Sequence, residues 1–85
     1  MKQFHYIITD KAGIHARPAG VLVKKAKNFE SSIEVRKDVR KADAKKLLEL
    51  MGLGIRFNDE IIVEVSGTDE EAACDEIRRT LKEVL

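Results

Sequence analysis

The chain predicts an α+β fold in which helices cover one face of an antiparallel sheet. Strand-like runs alternate so that each presents a single apolar face: Phe4, Tyr6 and Ile8, then Ile33 and Val35, then Ile61, Val63 and Val65. Other apolar residues recur at helical spacing, in Ala19, Leu22, Val23 and Ala26 and again in Ala73, Ile77, Leu81 and Val84. Read in chain order the elements run β-α-β-β-α-β-α, and sheets with one apolar face bury it under helices. At 85 residues this is one domain, 1–85, with room for a modest core but not for a deep substrate cleft.

The first strand covers residues 3–9, with His5, Ile7 and Thr9 on the outer face, where His5 is a surface residue. A turn over Asp10 to Gly13 follows, and Gly13 supplies the backbone freedom needed to deliver the next residues to a helix. Pro18 is pre-set for a first helical turn, so the helix begins near Ala16, runs to about Lys27, and is expected to end with Asn28 in the left-handed conformation. Ile33 and Val35 alternate with Glu34 and Arg36 in a second strand, and a short third strand through Arg40 and Ala42 completes a hairpin. Its turn falls at Asp38-Val39, where Val39 resists a positive φ. Lys46 to about Gly52 reads as a short helix with Gly54 as a stop. The last strand precedes a helix for which Thr68-Asp69-Glu70-Glu71 has capping-box spacing. Acidic residues crowd the first turn of that helix and Arg78, Arg79 and Lys82 lie toward its end, both favourable to the helix dipole.

Chemistry concentrates in Gly13-Ile14-His15-Ala16-Arg17-Pro18-Ala19. This spacing sets His15 immediately before a helix whose first N–H groups, those of Ala16 and Arg17, have no partner within the helix and carry its positive end. Arg17 adds five donors in a rigid fork. The combination is a place for an anion, and phosphate fits it. Neutral imidazole is also a nucleophile, so a phosphorylated His15 would carry its new charge into the same donors. A loop histidine that merely precedes a helix is the plainer alternative.

Composition excludes several classes. The apolar runs fall far short of a membrane span, and no charged start leads into a long apolar stretch, so neither membrane insertion nor secretion is expected and the location is cytoplasmic. Cys74 is single and falls within a helix, where a core thiol is the simplest reading. No Gly-rich phosphate loop, nucleophile elbow or metal-ligand cluster is present, and no cofactor or metal is expected. Net charge is +1, but residues 1–46 carry twelve Lys/Arg against five Asp/Glu and residues 47–85 carry four against ten. A basic face of this kind steers acidic proteins. Nucleic acid is not expected, because no aromatic residues interleave the lysines.

The seven-residue stretch around His15 resembles the active-site signature of HPr, the histidine-containing phosphocarrier of the bacterial sugar phosphotransferase system. Leu50-Met51-Gly52-Leu53-Gly54-Ile55 is similar to the family's second helix and following turn, and Ile61 to Gly67 and the helical tail match in place. The resemblance implies an HPr-like open-faced two-layer sandwich, a four-stranded antiparallel sheet of order 1-4-2-3 covered on one face by three helices. It further implies a monomeric carrier, not an enzyme, that accepts phosphate on His15 from phospho-Enzyme I and passes it to sugar-specific enzyme IIA components. Regulatory proteins are further possible partners. An HPr-like regulatory binding module that performs no phosphotransfer is the alternative.

In HPr-like proteins the second helix lies beside the active-site histidine. Here it holds Leu47, Leu48, Leu50 and Met51, with Leu53 following, more apolar residues than one stripe hides. Either all are core, or Leu48 and Met51 with Leu47 form an exposed docking patch. Gly20 would keep the neighbouring surface low, and Lys24, Lys27 and Lys46 would form a basic rim. Lys46 also occupies the position at which HPr proteins of low-GC Gram-positive bacteria carry a kinase-regulated serine, so regulation through that serine is not expected in this chain.

Overall fold

In a computed structural model describing Met1–Leu85, the chain folds as β1 (Lys2–Ile7), α1 (Ala16–Ala26), β2 (Ser32–Lys37), β3 (Arg40–Asp43), α2 (Leu47–Met51), β4 (Glu60–Ser66) and α3 (Glu70–Val84). The four strands form one sheet of order β1-β4-β2-β3, with every neighbouring pair antiparallel. Phe4 faces Val63, and Val63 faces Val35, so the apolar positions read from alternation fall in one row across the sheet. That row lies under the helices in a buried cluster of 21 apolar residues, to which α1 contributes Ala19, Leu22, Val23 and Ala26 and α3 contributes Ala73, Cys74, Ile77 and Leu81. The opposite face of the sheet carries ion pairs such as Arg36–Glu64 (2.9 Å) and leaves the side chain of His5 exposed, 3.3 Å from Glu60.

Two local expectations need correction, and a third is met. Asn28 is not left-handed, because only Asp38 and Asn58 among non-glycine residues have positive φ. Instead α1 tightens as it ends: the Asn28 N–H donates to the Lys25 carbonyl and the Phe29 N–H to that of Ala26. In the β2–β3 hairpin the positive φ falls on Asp38 (56°), a residue that tolerates it, and Val39 is spared. The other correction is at the last helix, where the capping box at Thr68 does not form.

Asp69 is the N-cap of α3, yet its carboxylate turns away from its own helix. It accepts the N–H groups of Glu30 and Ser31, both at 2.9 Å, and the Ser31 hydroxyl. This tertiary partner outcompetes the local cap, while Glu70 reaches back to accept the Gly67 N–H (3.1 Å). Ser31 is almost fully buried, so its hydroxyl needs the acceptor that Asp69 supplies. The Ser31 hydroxyl foremost, then the Glu30 N–H, holds the Asp69 carboxyl below the usual aspartate range. A carboxyl depressed in the folded state contributes stability above the unfolded value, about pH 4, and loses it as pH falls through the lowered folded value. Asp69→Asn should therefore lower stability at neutral pH and flatten its fall below about pH 4. Urea midpoints measured across pH check this; wild-type and variant curves running parallel would contradict it.

Candidate functional site at the mouth of the first helix

His15 is delivered by a turn fixed at three points. The Asp10 carboxylate accepts the Ala12 N–H (2.8 Å), and the Asp10 carbonyl accepts the Gly13 N–H (2.9 Å). The Ile14 N–H then crosses to the Ile55 carbonyl (3.1 Å), hanging the loop on the segment that follows α2. Gly13 sits at φ +68°, and a Cβ there would lie 2.5 Å from the Ile55 carbonyl oxygen and 2.9 Å from the Arg56 Cα. Both obstacles are backbone and neither can rotate away. Gly13→Ala should cost about 2–4 kcal/mol, from left-handed strain plus overpacking. Chemical denaturation measures it, and a loss below about 1 kcal/mol would show that the loop adapts.

The helix mouth itself is simple. His15 is the N-cap, extended at φ −134° and ψ −175°, and its side chain makes no capping bond. Its carbonyl accepts the Ala19 N–H (3.0 Å), and Pro18 has no N–H to offer. The N–H groups of Ala16 and Arg17 precede the helical ladder and donate to nothing in the protein. His15 and Arg17 are exposed while Pro18 is buried, which anchors the turn beneath them. Arg17 takes part in none of the ion pairs of the molecule, so its guanidinium stands free beside the imidazole.

Both side chains border a shallow depression of about 300 Å³, completed by Asp10, Pro18, Val21 and Val84. Val84 comes from α3, whose end is tied to the same loop: the N–H groups of Thr9 and Asp10 and the Thr9 hydroxyl all donate to the Leu85 carbonyl. Nothing local in the sequence marks Val84 or Ile55 as neighbours of His15. No three His, Cys, Asp or Glu side chains converge in a way that could hold a metal, and no helix is long and apolar enough to cross a membrane.

The second helix divides its leucines between core and surface. Leu50 is fully buried and Leu53 nearly so, whereas Leu48 is 83% exposed, Leu47 39% and Met51 36%. Lys46 caps the helix and lies 3.7 Å from Glu49. Lys24 on α1 and Lys27 at its C-terminal cap are exposed, α1 packs against α2, and neither lysine pairs with an acid. Between them and His15, Gly20 opens onto empty space, where even a Cβ would meet nothing within 4 Å.

Residues 2–83, nearly the whole chain, match the PTS-HPr family, described as the PTS HPr component phosphorylation site. The chain belongs to the HPr family. It is 41% identical over 83 residues to the phosphocarrier protein HPr of Mycoplasma genitalium, covering 96% of this chain and 94% of that one. Among solved structures it is similar to the histidine-containing phosphocarrier protein of a Mycoplasma, with TM-score 0.94 and 35% identity, covering 96% and 93% of the two chains. It is also similar to an HPr dimer from Thermoanaerobacter tengcongensis, with TM-score 0.78 and 35% identity, covering 98% and 95%. The HPr fold class expected from the sequence, including the order 1-4-2-3, is therefore the observed one. Since that relative is a dimer, HPr membership does not by itself imply the monomeric state expected above.

Proposed function

We propose that this HPr-family chain is a cytoplasmic phosphocarrier that accepts phosphate from phospho-Enzyme I on His15 and passes it to enzyme IIA-type components. The observation that carries the reading is an exposed imidazole standing beside two unpartnered N–H groups and an unpaired guanidinium. A ring nitrogen of His15, by resemblance Nδ1, attacks the phosphorus as the bond to the donor breaks, and the reverse displacement hands the group on. The phosphoryl oxygens would be met by the Ala16 and Arg17 N–H groups and the Arg17 side chain, which need no rearrangement to receive them. Because the site is open on one side, a partner must supply the remaining wall, which suits a covalent carrier rather than an enzyme with its own substrate pocket.

Leu47, Leu48 and Met51, rimmed by Lys24, Lys27 and Lys46 and set low by Gly20, are the proposed docking surface for these partners. Lys46 offers no hydroxyl at the head of α2, so phosphorylation by a serine kinase at that position is foreclosed and the rim stays basic. Incubation with Enzyme I and phosphoenolpyruvate tests the reading: an acid-labile phosphate on the wild-type chain supports it. A folded protein that takes no label would instead be a regulatory binding module.

A further inference from the structure

We propose that Lys37 and Arg40, at the end of the β2–β3 hairpin, are positioning residues that hold the Gly52–Ile55 turn against the loop carrying His15. The inference rests on the phosphocarrier reading of His15 and adds two residues distant from it in sequence.

The observation that prompts it is an apparent defect in the sheet. Lys37 and Arg40 are directly opposed across the hairpin, two positions beyond the buried pair Val35 and Ala42 in the same register. They therefore share the helix-covered face with that apolar pair, two residues further along each strand. Two like charges facing each other across a strand pair are unfavourable. The conflict is resolved because both cations reach past the sheet to the same short segment after α2. Lys37 Nζ donates to the Gly54 carbonyl at 2.9 Å, and an Arg40 Nη donates to the Gly52 carbonyl at 2.6 Å. Lys37 also pairs with Asp59 at 2.9 Å, and the same Asp59 oxygen accepts the Arg56 N–H at 2.7 Å. The Lys37 side chain is only 22% exposed, so it is a seated group and not a solvated one.

The segment they grip is seated by the buried side chains of Leu53 and Ile55, and the two cations add a hold on its exposed backbone carbonyls. The α2 helix is five residues long, too short to be rigid alone, and two glycines follow it, Gly54 at φ +66°. Yet this segment supplies the Ile55 carbonyl that accepts the Ile14 N–H, one residue before His15. A continuous run of contacts therefore leads from the hairpin cations through Gly52, Gly54 and Ile55 to Ile14 and the imidazole. Small displacements of a reacting group are costly to rate, about 100-fold for roughly 1 Å.

The test uses the full chain with Lys37→Met and Arg40→Met, singly and together, and Lys37→Arg as the conservative variant. Amide hydrogen exchange is read at Ile14 and, as an internal reference, at Val63 in the core of the sheet. The double variant is expected to raise Ile14 exchange about tenfold with Val63 nearly unchanged. The saturating rate of His15 phosphorylation by phospho-Enzyme I should fall about tenfold with KM little altered. Lys37→Arg should restore both. Unchanged Ile14 exchange overturns the proposal, as does a rate loss confined to KM and relieved by salt, which would make these cations partner contacts. Failure of the wild type to take phosphate on His15 would remove the phosphocarrier reading instead, and Ile14 exchange together with the His15 ring resonances would then decide the positioning claim alone.

Discussion

His15→Ala is expected to abolish phosphorylation by Enzyme I and phosphoenolpyruvate while leaving the fold intact. His15 is exposed and its side chain makes no capping bond, so its loss breaks no contact that supports α1. Stability should therefore change by no more than about 0.5 kcal/mol, as for an ordinary surface substitution. His5→Ala is the natural control, because His5 lies on the uncovered face of the sheet with Glu60 as its neighbour. Phosphate counted per chain, with peptide mapping, separates the two. Full labelling of the His15→Ala protein would overturn the assignment.

Arg17→Glu should be nearly as damaging to transfer, slowing it by at least about 100-fold, the scale seen when one preorganised donor to a developing anion is removed. The charge reversal places a carboxylate where phosphoryl oxygens must sit. Arg17→Lys keeps the charge but loses the planar fork, so an intermediate rate is expected. Arg17 pairs with no acid in the free protein and is exposed, so neither change should disturb the fold, and circular dichroism with a thermal scan verifies this. Equal transfer rates for the wild type and the glutamate variant would show that the Ala16 and Arg17 N–H groups suffice.

Features set by nearby residues were legible in the sequence. The strands declared their inner faces through alternation, and His15, Arg17 and Pro18 announced a helix mouth because all three lie within its first turn. Pairing of β1 with β4 joins residues as distant as Lys2 and Val65, which periodicity does not encode; family resemblance supplied the sheet order. Thr68 misled for a related reason. A cap was available locally, but Glu30 and Ser31, distant in sequence and brought alongside by the pairing of Ser32 with Ser66, claim Asp69 first. Around His15 the same division holds, since Ile55 and Val84 reach the site only through packing. Leu48 was ambiguous in the sequence because a five-residue helix has too few turns to define a stripe, and only the fold shows that it faces solvent.

The bond from Ile14 to Ile55 has a consequence for how the protein is made. The signature around His15 emerges early in synthesis, but α1, at 11 residues, is too short to be stable before its apolar stripe is packed. Its neighbour Ile55 follows forty residues later, and β4, which secures β1, later still. Non-local pairing of this kind slows folding, because loop closure is paid before the distant contacts form. A nascent or clipped chain that ends before Ile55 carries the histidine, the arginine and the proline, yet lacks the anchor that orients them. On the phosphocarrier reading, competence in phosphate exchange is therefore expected only once the sheet is complete.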